Sequence, residues 1–294
     1  GARVILADEQ NEFGGWLLGE ADIIIGDVTA FNWISNIVAK LAAMPNVTLL
    51  PRTTVFGYLD HNYLILNERV TDHLPSRPAH LPRQRLWKIR AQQVIIAQGA
   101  HERPLVFAGN DIPGVMLAGA VRTYINRYGV CPGQRAIVVC NNDDAYRTAL
   151  DLHHAGALVV IADLRANATG PLMRAVRDAG IEILRGHAVI AAFGNHRVSR
   201  VEIASVNDSV TEITGDIDHR DCNLIAMSGG LSPAVHLHSQ ARGKLQWDNV
   251  KLCFRPSATH EPSFNIGACN GSFDLAAGLK EAVRAGTKAV TATG

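Results

Sequence analysis

Short, wholly apolar runs that end abruptly at an acidic residue or a glycine set the strongest limit on how this chain folds. Val4–Ala7 stops at Asp8, and residues 94–97 lead into Gly99. Runs of this length are typical of strands covered on both faces of a parallel sheet. We therefore expect a strand at Val4–Ala7 that is buried on both faces.

Segments with helical spacing alternate with these runs, which predicts an α/β fold. The pattern indicates two dinucleotide-binding domains (Rossmann-like, glutathione-reductase-type) with antiparallel β-meander inserts, the second domain inserted in the first. The predicted boundaries are 1–115 for the first part of the first domain, 116–222 for the second domain and 223–294 for the return to the first. The expected helices cover 29–44, 117–127, 144–155, 171–178 and 271–284, the expected meanders cover 47–67 and 188–205, and a loop is expected over 71–85.

Composition excludes several classes of function. Lys plus Arg number 28 against 27 Asp plus Glu, so the chain lacks the positive charge expected of a nucleic-acid-binding protein. Every apolar run is too short to cross a membrane. The five cysteines are widely spaced, with no CxxC pair and no metal-ligand cluster, so we expect no metal and a reducing, cytoplasmic compartment.

The first domain carries half of a dinucleotide site. Asp8 follows a strand, where an acid accepts the hydroxyls of a ribose, and Gly14 and Gly15 follow as a flexible turn. The glycine-rich turn that binds the pyrophosphate would precede Gly1. The chain begins without Met and enters a strand at once, so we expect it to be a piece of a longer protein whose upstream part holds the first strand and that turn.

The second domain lacks the features of a nucleotide site. Its turn after the strand Arg135–Cys140 has no glycine and carries Asp143 and Asp144 where a phosphate would lie. We expect no functional NAD(P)H site there. Asn142 or Asp143 is expected instead to cap the helix that follows, with its side chain on the helix amides.

Several blocks of sequence closely resemble the α subunit of heterotetrameric sarcosine oxidase. They extend over nearly the whole chain, and the Asn-Asn-Asp-Asp turn without glycine is the most specific of them. The related opine oxidases, hydrogen cyanide synthases and dye-linked proline dehydrogenases share two of the blocks, G-A-x-E-R-P and P-G-V-M. The matching blocks are 4–10 (VILADEQ), 97–104 (AQGAHERP), 113–124 (PGVMLAGAVRTY), 141–149 (NNDDAYRTA), 228–233 (SGGLSP) and 267–271 (GACNG).

The resemblance implies an oxidoreductase subunit that acts on a CH-NH group. The complex would demethylate sarcosine to glycine with formation of peroxide, and this module would bind NAD without catalysing a reaction and act as a scaffold. FAD and FMN would lie elsewhere in the hetero-oligomer, the FAD in a flavin-bearing β subunit. No catalytic residue is implied in this segment.

The resemblance also implies cofactor-binding residues. Asp8 would hold the adenosine ribose, with Glu9 and Gln10 beside it. Val55 would offer backbone groups to the adenine, and Arg103 would lie near a phosphate. The full implied set is Asp8, Glu9, Gln10, Gly14, Gly15, Val55, Gln98, Gly99, Arg103, Gly267 and Ala268.

Two departures from the family pattern leave alternatives open. Gln98 stands where a small hydroxyl residue is usual, and Ala268 stands where flavoenzymes of this architecture carry an Asp that binds the ribityl chain. Ala268 therefore favours NAD over FAD. One alternative is an FAD-bearing subunit of an opine-, proline- or glycine-type dehydrogenase. Another is a structural scaffold that binds no nucleotide.

Overall fold

The chain folds into two compact α/β units, seen in a computed structural model that describes residues 1–293. Unit 1 comprises residues 1–15, 24–101 and 232–293, and unit 2 comprises 16–23 and 102–231. The predicted α/β fold, with a second unit inserted in the first, is confirmed. Residues 102–115 and 223–231 were predicted to belong to the first domain, but they lie in unit 2. The reason is that the strands Val115–Leu117 and Leu224–Ser228 pair with each other in the unit 2 sheet.

The elements of the first half of the chain are nine strands and one helix. They are β1 (Val4–Ala7), β2 (Ile24–Ile25), β3 (Val28–Thr29), α1 (Ala30–Ala42), β4 (Val47–Leu50), β5 (Thr53–Leu59), β6 (Tyr63–Arg69), β7 (Gln84–Arg90), β8 (Val94–Ile96) and β9 (Ala100–Glu102). A short 3-10 helix, Gly15–Gly19, follows β1.

The middle of the chain contributes β10 (Val115–Leu117), α2 (Ala118–Tyr128), β11 (Arg135–Cys140), α3 (Ala145–His154), β12 (Leu158–Asp163), α4 (Pro171–Asp178), β13 (Glu182–Arg185), β14 (His187–Phe193), β15 (Arg200–Val206), β16 (Ile213–Asp221) and β17 (Leu224–Ser228). The last part contributes β18 (Leu231–Pro233), α5 (His236–Gln240), β19 (Lys244–Asp248), β20 (Cys253–Ala258), β21 (Ser263–Asn265) and α6 (Leu275–Thr293). A second 3-10 helix spans Gly267–Asn270.

Unit 2 is built on a five-stranded parallel sheet in the order β10-β17-β11-β12-β13. Successive residues of β11 point to opposite faces. Ala136 and Val138 pack in the core formed with the helices, whereas Ile137 and Val139 pack in the core formed with the β14-β15-β16 meander. The central strands are apolar throughout because both of their faces are covered.

Unit 1 contains two separate pairs of parallel strands, β1 with β4 and β8 with β21. The antiparallel meander β5-β6-β7 joins them in one core, where Leu50, Tyr58 and Ile96 are buried. α1 begins at Thr29, whose hydroxyl accepts a hydrogen bond from the Asn32 amide. This framework places the carboxyl ends of β1 and β8 in the same unit.

The expected burial of Val4–Ala7 on both faces is wrong. The strand forms as predicted, but Val4, Ile5 and Leu6 are 45%, 43% and 37% exposed. The physical reason is that only Ala7 of this strand packs against the unit 1 core, so side chains on both faces of β1 stay exposed.

A tight turn with a buried asparagine connects β5 to β6. His61 and Asn62 both adopt positive φ, at 60° and 51°. The Asn62 side chain accepts the Tyr58 hydroxyl at 2.7 Å and donates to the carbonyls of Gln92 and Pro262 at 3.3 and 3.1 Å. One polar side chain therefore connects the meander to two other segments of unit 1.

Residues 16–23 form an arm that belongs to unit 2. Arg122 on α2 is buried and contacts three carboxylates, those of Glu20, Asp144 and Asp151. Asn126 donates to the Gly19 carbonyl at 2.9 Å. Because one guanidinium serves three acids, the cluster holds more negative than positive charge.

We expect Asn62→Ala to lower the free energy of unfolding by roughly 2–3 kcal/mol, since a buried side chain loses three hydrogen bonds, one of them to the buried Tyr58 hydroxyl. His61→Ala is the matched control: it also places alanine at positive φ, but the His61 side chain is exposed. Urea unfolding of both variants separates the side-chain hydrogen bonds from backbone strain. Equal losses would contradict this account.

We expect stability to fall as the pH rises through about 7. Burial raises the pKa of Glu20 from 4.5 to about 7, against the opposing effect of Arg122. The protonated form is therefore favoured in the folded state, and its stabilising effect is complete below pH 4.5 and lost above 7. Glu20→Gln should flatten this pH dependence in urea unfolding, whereas Asp178→Asn, which removes an exposed carboxylate of the same unit, should leave it unchanged.

Candidate functional site

Asp8 lies at the carboxyl end of β1, where several backbone hydrogen bonds hold it. Its amide donates to the Leu50 carbonyl at 3.0 Å, and its carbonyl accepts the Thr53 amide at 2.7 Å. Its Oδ1 accepts the Gln10 amide at 2.9 Å. The chain therefore turns sharply at Asp8, and the carboxylate is held in one orientation.

The Asp8 carboxylate is half-buried, and its orientation is set through Oδ1, which accepts the Gln10 amide. Burial raises the pKa of Asp8, the hydrogen bond from Gln10 opposes this shift, and the neighbouring Glu9 adds to it. A half-buried carboxylate that directly follows a parallel strand is suited to accept hydroxyl groups of a ligand.

Residues Asp8, Glu9 and Gln10 form one turn, which we call the acidic corner. The carbonyl of Glu9 accepts Nη2 of Arg69 at 2.7 Å, and the carbonyl of Gln10 accepts the Arg52 amide at 2.7 Å. Both arginines come from the β5-β6 region. Neither was predicted from the sequence, because nothing in their local pattern relates them to β1.

Gly14 and Gly15 follow the acidic corner, with φ of 136° and 54°. A Cβ on Gly15 would contact no atom, so space does not require glycine there. The backbone conformation does, since side chains rarely adopt this region. The two glycines allow the chain to turn away from the corner, as a loop passing close to a ligand requires.

A second group of predicted residues lies at the carboxyl ends of β8 and β21. The Ile266 amide donates to the Ile96 carbonyl at 3.0 Å, which brings Gly99 and Gly267 to the same end of this strand pair. Both glycines have positive φ, 77° and 65°, and a Cβ on either would meet no atom within 4 Å. The space beside both Cα atoms is therefore open to a ligand.

The side chains next to these two glycines differ in their exposure. Gln98 is exposed, and Ala268 is half-buried in the short helix that follows β21. The Gly267 amide donates to Glu281 Oε2 at 2.8 Å. A carboxylate of this chain already uses that amide, and no sequence pattern predicted this contact.

Two predicted residues lie apart from these groups. Val55 is in β5 beside an irregularity in its pairing with β6, and its side chain packs in the unit 1 core. Arg103 belongs to unit 2, where its backbone amide donates to the Gly230 carbonyl at 2.8 Å. The acidic corner and the two glycines are thus the part of the predicted set that unit 1 arranges at the ends of parallel strands.

The turn after β11 in unit 2 is filled by its own side chains. Arg165 forms ion pairs with Asp143 and Asp163, both at 2.8 Å, and Tyr146 donates to Asp163 at 2.6 Å. Asn142 donates to the carbonyl and the hydroxyl of Ser228.

The expected side-chain cap on α3 is wrong. No side chain makes a hydrogen bond to the first turn of this helix. The reason is competition, since Ser228 engages Asn142, and Arg165 engages Asp143. No three His, Cys, Asp or Glu side chains in residues 1–293 are grouped so that they could hold a metal ion. No helix in that range is long and apolar enough to cross a membrane.

The fold is that of FAD/NAD(P)-binding oxidoreductases. Thioredoxin reductase from Lactococcus lactis superposes with a TM-score of 0.74 at 18% identity, covering 99% of this chain and 90% of that one. L-proline dehydrogenase from P. horikoshii superposes with a TM-score of 0.62, also at 18% identity, covering 90% of this chain and 45% of that one. No family model matches the chain.

Curated relatives share more sequence. The sarcosine oxidase α subunit of Corynebacterium sp. (strain P-1) is 42% identical over 298 residues, which cover 100% of this chain and 30% of that protein. The same subunit of Rhizobium meliloti (strain 1021) is 38% identical, with 96% and 27% covered. An opine oxidase subunit of Agrobacterium tumefaciens (strain Ach5) is 23% identical, with 89% and 54% covered.

The chain thus spans about 30% of the length of the sarcosine oxidase subunits it matches. The match extends over its whole length, and it includes the acidic corner and the filled turn after β11. The chain belongs to the sarcosine oxidase α-subunit family.

Proposed function

We propose that this segment binds NAD without catalysing a reaction, within a cytoplasmic, flavin-dependent complex that oxidises sarcosine. The acidic corner carries the proposal: a half-buried carboxylate directly follows a parallel strand, and the Gln10 amide on Oδ1 sets its orientation. The relatives named as sarcosine oxidase α subunits support the activity and the membership of a complex. No two of the five cysteines form a disulfide within residues 1–293, which fits a reducing compartment.

In the proposed reaction, sarcosine loses two electrons and two protons to give an N-methylene imine, and water hydrolyses the imine to glycine and formaldehyde. O2 accepts the two electrons and two protons and becomes hydrogen peroxide. FAD and FMN, which accept hydride and pass electrons on when bound, would lie elsewhere in the complex, with FAD in a β subunit. This segment contributes no group to these steps. Its own residues bind the dinucleotide and support the partner subunits.

The residues of unit 1 fit an adenosine dinucleotide. Asp8 would accept the ribose hydroxyls through Oδ2. The positive-φ backbone at Gly15, Gly99 and Gly267 would let the ligand approach closely. Ala268 has no group to bind a ribityl chain, which supports NAD over FAD. Glu9, Gln10, Gly14 and the exposed Gln98 would border the ligand, with Val55 toward the adenine. Arg103 belongs to unit 2, and its role near a phosphate stays a prediction from the sequence.

The proposal includes a parallel strand and a glycine-rich turn supplied by sequence upstream of Gly1. The apolar residues Val4, Ile5 and Leu6 on β1 and Ile95 on β8 are all more than a third exposed. Strands this apolar are normally covered on both faces. A strand inserted between β1 and β8 would cover these residues and bring the phosphate-binding turn to the acidic corner.

Unit 2 is proposed to act as a scaffold that binds no nucleotide. The ion pairs of Arg165 with Asp143 and Asp163 occupy the turn where a pyrophosphate would lie. A phosphate placed there would also meet two carboxylates. These contacts support the alternative of a structural scaffold without nucleotide for unit 2 only.

Heat release of the ligand from the full-length polypeptide tests the proposal. Absorbance and mass spectrometry of the supernatant are expected to identify NAD. Release of FAD instead would favour an FAD-bearing dehydrogenase subunit of the opine or proline type. A protein that releases nothing and binds no added dinucleotide would leave only the structural scaffold.

We expect Asp8→Asn to weaken NAD binding by roughly 10- to 100-fold, because a charge-assisted hydrogen bond contributes about 1.5–3 kcal/mol. Stability should stay the same or rise, since burial raises the pKa of Asp8 and its ionised form is therefore disfavoured in the folded state. Asp27→Asn removes an exposed carboxylate of the same unit that lies outside the predicted set, and it is the matched control. Calorimetric titration with NAD and urea unfolding measure the two effects. Equal losses of affinity in both variants would show that Asp8 has no specific role.

A further inference from the structure

Arg69 connects the meander to the acidic corner. It is the last residue of β6, and its amide donates to the Arg52 carbonyl at 3.0 Å. Its side chain is exposed and reaches Glu9, sixty residues away in sequence, with Nη2 2.7 Å from the Glu9 carbonyl. That carbonyl belongs to the residue that directly follows Asp8.

The corner has three carbonyls, and each has a different support. Those of Asp8 and Gln10 accept backbone amides, from Thr53 and Arg52. That of Glu9 accepts a side chain, Arg69. The orientation of the Asp8 carboxylate depends on this backbone, because its Oδ1 accepts the Gln10 amide. A change at Arg69 can therefore move the carboxylate without removing it.

We propose that Arg69 is a positioning residue that holds the Asp8 carboxylate where it accepts the 2′-hydroxyl of an adenosine ribose, and so favours dinucleotides without a 2′-phosphate. This inference rests on the proposed function. An acid at this place binds the 2′-hydroxyl and repels a 2′-phosphate, whereas a nearby arginine that is available to the ligand accommodates the phosphate. Here the guanidinium is turned toward the protein backbone.

The two roles of an arginine at this place predict changes of opposite sign. If Arg69 acts only through its charge, its loss weakens binding of the more negative NADP more than that of NAD, and the ratio Kd(NADP)/Kd(NAD) rises. If it positions Asp8, its loss releases the carboxylate from the ribose, and the ratio falls. The sign of the change does not depend on the overall stability of the fold.

The experiment measures both dissociation constants by calorimetry in the full-length polypeptide. Arg69→Met is expected to raise Kd for NAD about tenfold, as for a loss of about 1.4 kcal/mol, and to lower the ratio. Arg69→Lys keeps the charge and a donor and should retain the ratio. Arg77→Met, which removes an exposed arginine of the loop after β6, is the charge control and should leave the ratio unchanged or raise it.

A ratio that is unchanged or raised in Arg69→Met overturns the inference while leaving the proposed function intact. If the unaltered polypeptide binds neither dinucleotide, both fail. Should Arg69→Met not fold, Arg69→Gln removes the same charge with a polar side chain. The same fall in the ratio is expected of it, and the same absence of a fall overturns the inference.

Discussion

A parallel sheet is stable only when other elements of the protein cover both of its faces, and this requirement governs both units. In unit 2 it is met within the chain: helices cover one face of the five-stranded sheet and the meander covers the other. In unit 1 the parallel strands occur as two separate pairs, and apolar side chains on β1 and β8 remain exposed. The candidate site lies at the ends of these incompletely covered strands.

The chemistry of the acidic corner follows from its backbone. The chain must turn at the end of β1, and the hydrogen bonds that make the turn also orient the Asp8 carboxylate and reduce its exposure. Partial burial makes the ionised form costly in the folded protein. A ligand whose hydroxyl groups donate hydrogen bonds to the Asp8 carboxylate would offset the cost of burying its charge. The partial burial that lowers the stability of the fold therefore suits the proposed binding.

Sequence patterns predicted the buried elements well and the exposed ones poorly. β11 and α4 have the predicted bounds, since one is continuously apolar and the other begins with Pro171 at its first position. β16, β19 and β20 were not foreseen, because they are largely exposed and lack strict alternation. β7 overlaps the end of the predicted loop at Gln84. Its Trp87 and Ile89 pack against the unit 1 core and alternate with Lys88 and Arg90, a strand pattern that the prediction missed.

The residues of the candidate site also divide into those that local sequence patterns predict and those that they do not. Asp8 and the glycines could be found because local patterns mark them, as strand ends and positive-φ turns. Arg69 and Glu281 could not, because each acts on a segment distant in sequence and only the tertiary fold brings the partners together. The error at α3 has a related cause: Asn142 and Asp143 have good capping chemistry, but Ser228 and Arg165, both supplied from other parts of unit 2, bind them first.

The order of the strands also affects how the chain is made. β8 pairs with β21, and all of unit 2 apart from the arm is encoded between these two strands. During synthesis the sheet of unit 2 can form as soon as β17 leaves the ribosome. β8, meanwhile, stays without its partner until β21 emerges. The nascent chain therefore carries an open apolar strand edge while unit 2 is being synthesised, and this edge is a site at which aggregation competes with folding.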